Sequence, residues 1–469
     1  MSTTILGGGL GGLSAAYYLL KKDPKSVITL VEASNRVGGW IKSNTQDDGV
    51  IFEQGPRTVR PKGPQGANTL ALIEELDLSS HIKAIPTYHP AATKRMIYAN
   101  SKLHLLPASF TSLFKKQTPF SKPLISLLFK DVITGKPAVA IKDESIYDFV
   151  TRRFGTEVGD YLISPMICGI CGGDAKQISV KFLMEGLFEK EQKHGSITRG
   201  IIASWLNKEE KKNENKPRND LYQRSINERW NVYTFDNGIE SLPKRLEEVC
   251  RANGTRFEMD AKCTGLDFSA KITTELSNGR VLTSDKLISS ISAENLSALL
   301  INKHPDLAKL LQRIKTVTLA VVNLQFNEKL PIEDGFGFLV CPKENRPILG
   351  VIYDSCCFSY TDKTVLTVML GGHWFYDHFN DNTSEEEFLH VALTQVADIL
   401  KIDQLPDNYK VNLLKNAIPQ YTVGHKENLE LIQRYIDAKR LKLHLCGSSY
   451  HGVGINDVIM SARNMADEI

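Results

Sequence analysis

A short apolar run, Thr3–Leu6, leads directly into Gly7-Gly8-Gly9-Leu10-Gly11-Gly12, a G-x-G-x-x-G turn. Leu13 to Lys22 (LSAAYYLLKK) then has the length, Ala/Leu content and basic last turn of a helix, and Asp23-Pro24 ends it. Val27–Val31 (VITLV) reads as a second buried strand closing on Glu32, twenty residues after Gly12. Strand, glycine turn, helix, strand and terminal acid at this spacing specify a Rossmann unit. Each part has a physical reason. Gly7 permits the tight turn, Gly9 lets the backbone approach a pyrophosphate, and Gly12 lets helix and strand pack closely. The helix N-terminus offers unpaired N–H groups to phosphates. Glu32 can accept both ribose hydroxyls of an adenosine and disfavours a 2′-phosphate, so FAD or NAD suits the turn better than NADP.

The next segment chooses between those two. Ala33, Arg36, Val37, Gly38, Gly39 and Trp40 place a second glycine pair and a basic residue directly after the acidic strand end. This resembles the GG-doublet flavoprotein signature, which implies FAD and which NAD-only Rossmann domains do not need. Gly55-Pro56-Arg57-Thr58 follows as a loop. Far along the chain, Asp236-Asn237-Gly238 precedes an amphipathic helix, and strand-like 256–259 and 262–268 come next. Further strand-like runs at 271–276 and 281–282 flank the hairpin turn Asn278-Gly279, and 286–291 reads as a buried strand. Near the end, 441–446 alternates like a strand, 447–457 is a glycine-rich loop and 458–468 a helix. That last turn sets backbone N–H groups and a positive helix end together, an arrangement that stabilises an anionic reduced flavin. Both chain ends are therefore expected to build one cofactor site, leaving the middle for substrate.

Composition is ordinary for a globular chain of 469 residues, 42% hydrophobic and 24% charged, and a net charge of +3 gives no reason to expect nucleic acid as a partner. Eight scattered Cys form no secreted-type disulfide framework, so reduced thiols are expected. With the glycine turn so close to Met1, a signal peptide or cleavable presequence is not expected either. From Ala91 to Lys142 there are nine Lys or Arg and one acid, Asp131, interleaved with short apolar runs. Basic residues beside apolar helical stretches suit an element lying on anionic lipid, against the plainer reading of a solvated basic face. The run 207–220 (NKEEKKNENKPRND) is expected as an exposed charged loop without chemistry. Cys168-Gly169-Ile170-Cys171 could be a redox dithiol or half a zinc site, but no second C-x-x-C exists and no metal is expected.

The GG doublet and the turns around it resemble the FAD-dependent amine oxidase superfamily and, within it, the animal protoporphyrinogen oxidase family. GGWI at 38–41, GPR at 55–57, HPAA at 89–92, FSKPL at 120–124, GFG at 335–337, VMLGG at 368–372 and IPQYT-GH at 418–425 carry the likeness in one order over essentially the whole length. It implies an α/β chain: a Rossmann-type FAD-binding domain (1–90, 236–298 and 418–469), a mainly helical membrane-binding domain (91–206), and a mixed-sheet substrate domain (221–235 and 299–417). Non-covalent FAD would be touched by Gly7, Gly8, Gly9, Leu10, Gly11, Gly12, Glu32, Ala33, Arg36, Gly39 and Trp40. Gly55, Pro56, Arg57, Thr58, Cys263, Ser448, Val453, Gly454 and Ile455 would complete the contacts. Arg95 would pair with a propionate, Phe336, Leu339 and Met369 would sandwich the macrocycle, and Gly169 would lie where bulk is not tolerated. The family departs from this sequence at Cys168 and Cys171, where it carries Arg and Phe.

The implied reaction is oxidation of protoporphyrinogen IX to protoporphyrin IX in haem synthesis. Hydride would pass to flavin N5 and O2 would reoxidise the flavin to give H2O2, over three two-electron rounds. No protein acid or base is required, because the cofactor carries the hard step. The resemblance also implies a monotopic place on the mitochondrial inner membrane, on the intermembrane-space side, with a homodimer and ferrochelatase as partners. Two other readings share the fold: an amine or polyamine oxidase, and a non-catalytic escort of the GDP-dissociation-inhibitor type.

Overall fold

The opening elements form where the spacing predicts them in the computed structural model, which describes residues 2–107, 110–135, 141–206, 219–358, 360 and 362–469. Ser2–Leu6 is the central strand of a five-stranded, all-parallel sheet. Val27–Val31 and then Arg256–Glu258 lie on one side of it, Lys286–Ser289 and then Leu443–Leu445 on the other. Helices cover such a sheet on both faces, so its strands read as apolar runs rather than as alternation. The first and last strands of the chain are thus separated by a single strand.

The first helix spans Leu10–Lys22, three residues earlier than expected. Gly11 and Gly12 fall inside its first turn because the helix lies almost against the strand end: a Cβ on Gly12 would sit 1.9 Å from the Gly7 carbonyl oxygen. At its other end Lys22 Nζ donates to the carbonyls of Ala466 (3.0 Å) and Asp467 (2.9 Å). Those carbonyls belong to the last turn of the C-terminal helix, Ile455–Glu468, or follow directly in it. Leu13 and Ala16 share one buried cluster with Ile459, Ala462 and Met465.

The chain divides into two compact units. The first comprises Met1–Pro86, Pro217–Lys315 and Lys426–Ile469, and the second Thr87–Lys216 and Thr316–His425. Besides the parallel sheet, the first unit carries an antiparallel trio, Cys263–Asp267, Ile272–Leu276 and Val281–Ser284, the last two joined through Gly279 at φ +81°. The second unit is built on a seven-stranded mixed sheet. Its order is Asn408–Pro419, Thr316–Phe326, Thr364–Gly372, Ile348–Tyr353, Gly337–Val340, Met96–Ala99 and Lys102–Leu105. Gly337–Val340 runs parallel to Met96–Ala99, and the other neighbours are antiparallel. One face packs through Ala320, Val322, Leu324, Val368 and Leu370 on the helix Glu385–Leu400 side of the unit.

The expected α/β class, a Rossmann-type sheet with a mixed-sheet partner, is what the chain adopts. The helices between residues 125 and 206 belong to the same compact unit as the mixed sheet. Residues 207–218 of the charged run lie outside the described residues. Its last two, Asn219 and Asp220, open the helix Asp220–Asn227, Asn219 accepting from the Tyr222 N–H at 2.8 Å. Among the described residues no helix is long and apolar enough to cross a membrane.

Candidate functional site

Two glycine loops meet at the end of the central strand. Gly7, at φ +99°, turns the chain out of the strand, and its N–H donates to the Val31 carbonyl at 2.8 Å. Gly9 caps the first helix in an extended conformation, φ −72° and ψ 178°. The second loop docks on the first: the Gly38 N–H donates to the Gly8 carbonyl at 2.8 Å, and Gly9 and Gly38 form an isolated parallel bridge. Gly39, at φ +59°, lies over Gly9. A Cβ built on Gly9 would meet only the Gly39 Cα, at 3.9 Å, among the described residues. The loops therefore face each other with bare backbone above the first helix turn, whose N–H groups have no intrahelical acceptors. That is the cradle a pyrophosphate requires, and the donor set fits a dinucleotide.

Glu32 is fixed beside it. Its Oε2 accepts from the Gly8 N–H (2.7 Å), and its Oε1 from the Ser34 N–H (2.9 Å) and the Ser34 hydroxyl (2.7 Å). Three donors converge on one carboxylate, with lone pairs left for ribose hydroxyls. Arg36 turns its guanidinium onto the second loop itself, donating to the carbonyls of Val37 (3.0 Å), Ile41 (3.2 Å) and Gly39 (2.5 Å). Ala33 and Trp40 are exposed next to this loop. Gly55 abuts it, since a Cβ there would sit 2.5 Å from the Trp40 carbonyl oxygen. Of the residues that follow, Pro56 is exposed, Thr58 half-buried and Arg57 buried.

The C-terminal loop closes on the same region. Gly447 leaves its strand at φ +98°, and its Cα would lie 3.2 Å from a Cβ on Gly11. Ser448 and Val453 are half-buried, Gly454 is exposed at the helix N-cap, and Ile455 is buried. Asn456 Nδ2 donates to the Arg60 carbonyl at 2.8 Å, tying this helix start to the segment just after Thr58. Burial raises the Asp457 carboxyl, opposed by the Gly454 backbone N–H. Cys263 opens its strand half-buried, and burial pushes its thiol up to about 11, which keeps it protonated.

In the second unit, three of the five proposed substrate residues come together. The register aligns Ile97, Leu339, Gly350, Met369, Val321 and Asn412 in one row across the sheet, so Leu339 and Met369 share a face with Gly350 between them. Gly169, on the helix Ser164–Cys171, packs against that row: a Cβ on it would stand 2.7 Å from Leu339 Cδ2. Phe336 lies just before the strand, half-buried, its N–H donating to the Lys94 carbonyl at 3.1 Å. Arg95, the next residue along, is exposed, and its carbonyl accepts from the Leu106 N–H at 2.8 Å.

Cys168 joins the same apolar wall, clustering with Val317, Leu319, Leu349 and Met369. Burial is the first cause raising both thiols, Cys168 strongly and Cys171 to about 11. Both are free, with Cys168 Sγ directed at the Gly173 carbonyl and Cys171 Sγ at that of Ile167. Such thiols are packing groups, not redox nucleophiles. Among the described residues no cluster of His, Cys, Asp or Glu could hold a metal ion.

Several residues that shape these sites had no motif to announce them. Ser290 Oγ–H reaches the carbonyls of Leu6 (2.9 Å) and Gly7 (3.2 Å), closing the end of the central strand. Glu53, 1% exposed, accepts from the Ile239 N–H and the Ser43 hydroxyl, both at 2.8 Å. On the sheet face carrying Met369, Asn323 donates to Thr367 Oγ1 (2.7 Å), which donates to Asp354 (2.5 Å). The signal available for each was a polar residue at the end of, or inside, an apolar strand.

The first unit is therefore a dinucleotide-binding fold of the flavoprotein class, its cradle assembled from both ends of the chain. The chain belongs to the family of flavin containing amine oxidoreductases, whose family profile matches residues 10–469, and its cofactor is FAD. It is similar to the protoporphyrinogen oxidase of Homo sapiens, 36% identical over 473 residues that cover 99% of this chain and 97% of the relative. The protoporphyrinogen oxidase of Bos taurus is 37% identical over 481 residues, covering 100% and 98%. A crystal structure named for protoporphyrinogen oxidase, from Exiguobacterium sp. 255-15, superposes with a TM-score of 0.80 at 23% identity, covering 100% of this chain and 98% of that one, and shares the fold.

Proposed function

We propose that this chain oxidises protoporphyrinogen IX to protoporphyrin IX with O2 as final acceptor, the substrate named for its human and bovine relatives. The observation that carries the reading is the wall in the second unit. Leu339 and Met369, both half-buried, join the buried Val321, Leu319 and Cys168 in a broad apolar wall. A planar, greasy macrocycle suits such a face, whereas an amine substrate calls for an acid or an aromatic cage. FAD, when bound, supplies the two-electron oxidant. The protein's own part is positional: the paired glycine loops would hold the pyrophosphate, Glu32 the ribose, and the wall the tetrapyrrole while keeping water away. Arg95 presents the planar fork that a propionate accepts bidentately.

The test is porphyrin fluorescence. Yellow protein mixed with protoporphyrinogen IX should develop it with matching O2 uptake, and polyamines should yield no H2O2. Brisk H2O2 from polyamines with no porphyrin would move the reading to an amine oxidase. A colourless protein that takes up no FAD would support the escort reading instead.

We propose in addition that the helices Ile125–Thr134 and Ile197–Leu206 rest on an anionic lipid surface. The first is inverted relative to a soluble helix: Phe129 and Ile133 are exposed, 67% and 83%, while its single acid, Asp131, is fully buried. Asp131 accepts from the Ser196 hydroxyl and the Thr198 N–H, both at 2.7 Å, and faces Arg153 at 3.6 Å. Ile201, Ile202, Trp205 and Leu206 are exposed on the second helix. Apolar residues outward with basic residues nearby fit interfacial binding. Flotation with anionic vesicles should capture the protein, and the Phe129→Glu, Trp205→Glu double variant should stay below. Equal capture of both, or capture of neither, would refute this.

A further inference from the structure

Arg36 would ordinarily be assigned to the cofactor's phosphates, as a cation beside two glycines, but its surroundings describe a different task. Its fork closes on three carbonyls of the loop that carries Gly38 and Gly39. Its Nη1 also faces Glu240 Oε1 at 3.8 Å. Glu240 is 8% exposed and anchored in turn: its Oε2 accepts from the Ser43 N–H at 3.4 Å and its own N–H donates to Ser43 Oγ at 3.1 Å. Ser43 Oγ–H goes on to Glu53, which also takes the Ile239 N–H. The turn of Asp236–Glu240 is thereby bolted to the hairpin Ser43–Thr45 and Ile51–Glu53, and through Arg36 to the glycine doublet. Packing agrees: a Cβ on Gly38 would meet the Ile41 carbonyl oxygen at 3.0 Å, Pro243 at 3.4 Å and Arg36 Nη1 at 3.5 Å.

We propose that Arg36 and Glu240 are a positioning pair, a brace that holds the Gly38-Gly39 backbone over Gly9 so that the cradle is formed before FAD arrives. An all-carbonyl loop bearing two positive-φ glycines has little stiffness of its own. A guanidinium holds its donors in one rigid plane spread over two nitrogens and so fixes three carbonyls at set positions, whereas the three donors of an ammonium rotate about a single nitrogen. The inference rests on FAD as cofactor and adds a sign that simple charge does not share. Removing the acid Glu240 near a phosphate site should strengthen anion binding if charge governs, and weaken it if the brace governs.

The experiment is FAD titration of flavin-stripped full-length protein, followed by flavin fluorescence, with circular dichroism and the thermal midpoint recorded for each variant. The brace predicts that Arg36→Lys, which keeps the charge, loosens FAD at least tenfold, as far as Arg36→Gln does. Glu240→Gln should loosen it about fivefold or more, with the ratio to wild type unchanged between low and high salt. Lys244→Gln, 3.1 Å from Glu240 and largely exposed, lowers the local positive charge without touching the loop carbonyls and should stay within twofold. Tighter binding by Glu240→Gln, or near-normal binding by Arg36→Lys with a salt-dependent loss in Arg36→Gln, would overturn the brace. If Glu240→Gln does not fold, the comparison of the two Arg36 variants decides alone. Wild-type protein that takes up no FAD would instead defeat the cofactor assignment.

Discussion

Two alanine substitutions in the first glycine turn should part company, because the cradle tolerates a methyl at one position until the cofactor is present. Gly9 has φ −72° and ψ 178°, which alanine adopts freely, and its Cβ would be 3.9 Å from the Gly39 Cα. The apoprotein therefore loses only capping preference, a few tenths to about 1 kcal/mol, or no more than about 1 °C in the thermal midpoint for a chain this size. The methyl stands, however, where the pyrophosphate must touch backbone. A displacement of the cofactor by about 1 Å breaks one or two charge-assisted hydrogen bonds, each ~1.5–3 kcal/mol. Gly9→Ala should raise the FAD dissociation constant about 100-fold, equal to about 2.7 kcal/mol. Gly12→Ala differs: its Cβ would fall 1.9 Å from the Gly7 oxygen, where 3.4 Å is ordinary, so the helix must shift off its strand. Overpacking of that kind costs ~1–3 kcal/mol or more in folding, and its apoprotein should melt several degrees lower. Thermal scans of stripped protein and FAD titrations distinguish the two. Near-normal FAD affinity in Gly9→Ala, or a melting loss equal to that of Gly12→Ala, would refute the cradle geometry.

Arg95→Ala should raise KM for protoporphyrinogen about tenfold, within the ~1–3 kcal/mol of a charged hydrogen bond, with kcat changed little; an unaltered KM would remove Arg95 from propionate binding. The Cys168→Ser, Cys171→Ser variant should keep most of its turnover, since both thiols are protonated packing groups, and near-complete loss would restore the dithiol reading. Acid should weaken the helical layer around Arg153. Burial alone would raise Asp131 and Glu191, but hydrogen bonds from Ser196 and Thr198 to the first, and from Arg152 and Arg153 to the second, leave both below their ordinary range. Folded values depressed below unfolded ones give stability that is complete above the unfolded values and lost as pH falls through the folded ones. Urea midpoints measured from pH 6 downward should thus fall below about pH 4.5, and less steeply in Asp131→Asn than in wild type; parallel curves would contradict this.

The first unit was legible because its chemistry demands residues in a fixed local order. Gly7, Gly9, Gly12 and Glu32 lie within one strand–helix–strand repeat, and each has a steric or electrostatic reason independent of the rest of the chain. The approach of Gly447 to Gly11 became visible only with the sheet order, in which the parallel strands Ser2–Leu6 and Leu443–Leu445 end at one edge. The limits came from contacts made at long range. Nothing near Arg36 in sequence announces that Glu240 and Ser43 complete its environment. The wall was not legible from local pattern, and Leu339 and Met369 were expected only through the family likeness, because a row such as Leu339–Gly350–Met369–Val321 is created by register, which no single strand carries. Helix starts were missed by three residues at both Leu10 and Ile455, where glycines that read as loop lie in or against the first turn.

Hydrogen exchange of stripped protein with and without FAD tests the joint cradle most directly. Saturation with FAD should slow exchange together in three stretches, residues 7–13, 36–41 and 447–456, at the same half-saturating concentration. Protection limited to the N-terminal stretches, with 447–456 exchanging as fast as before, would show that the far end of the chain takes no part in holding the flavin.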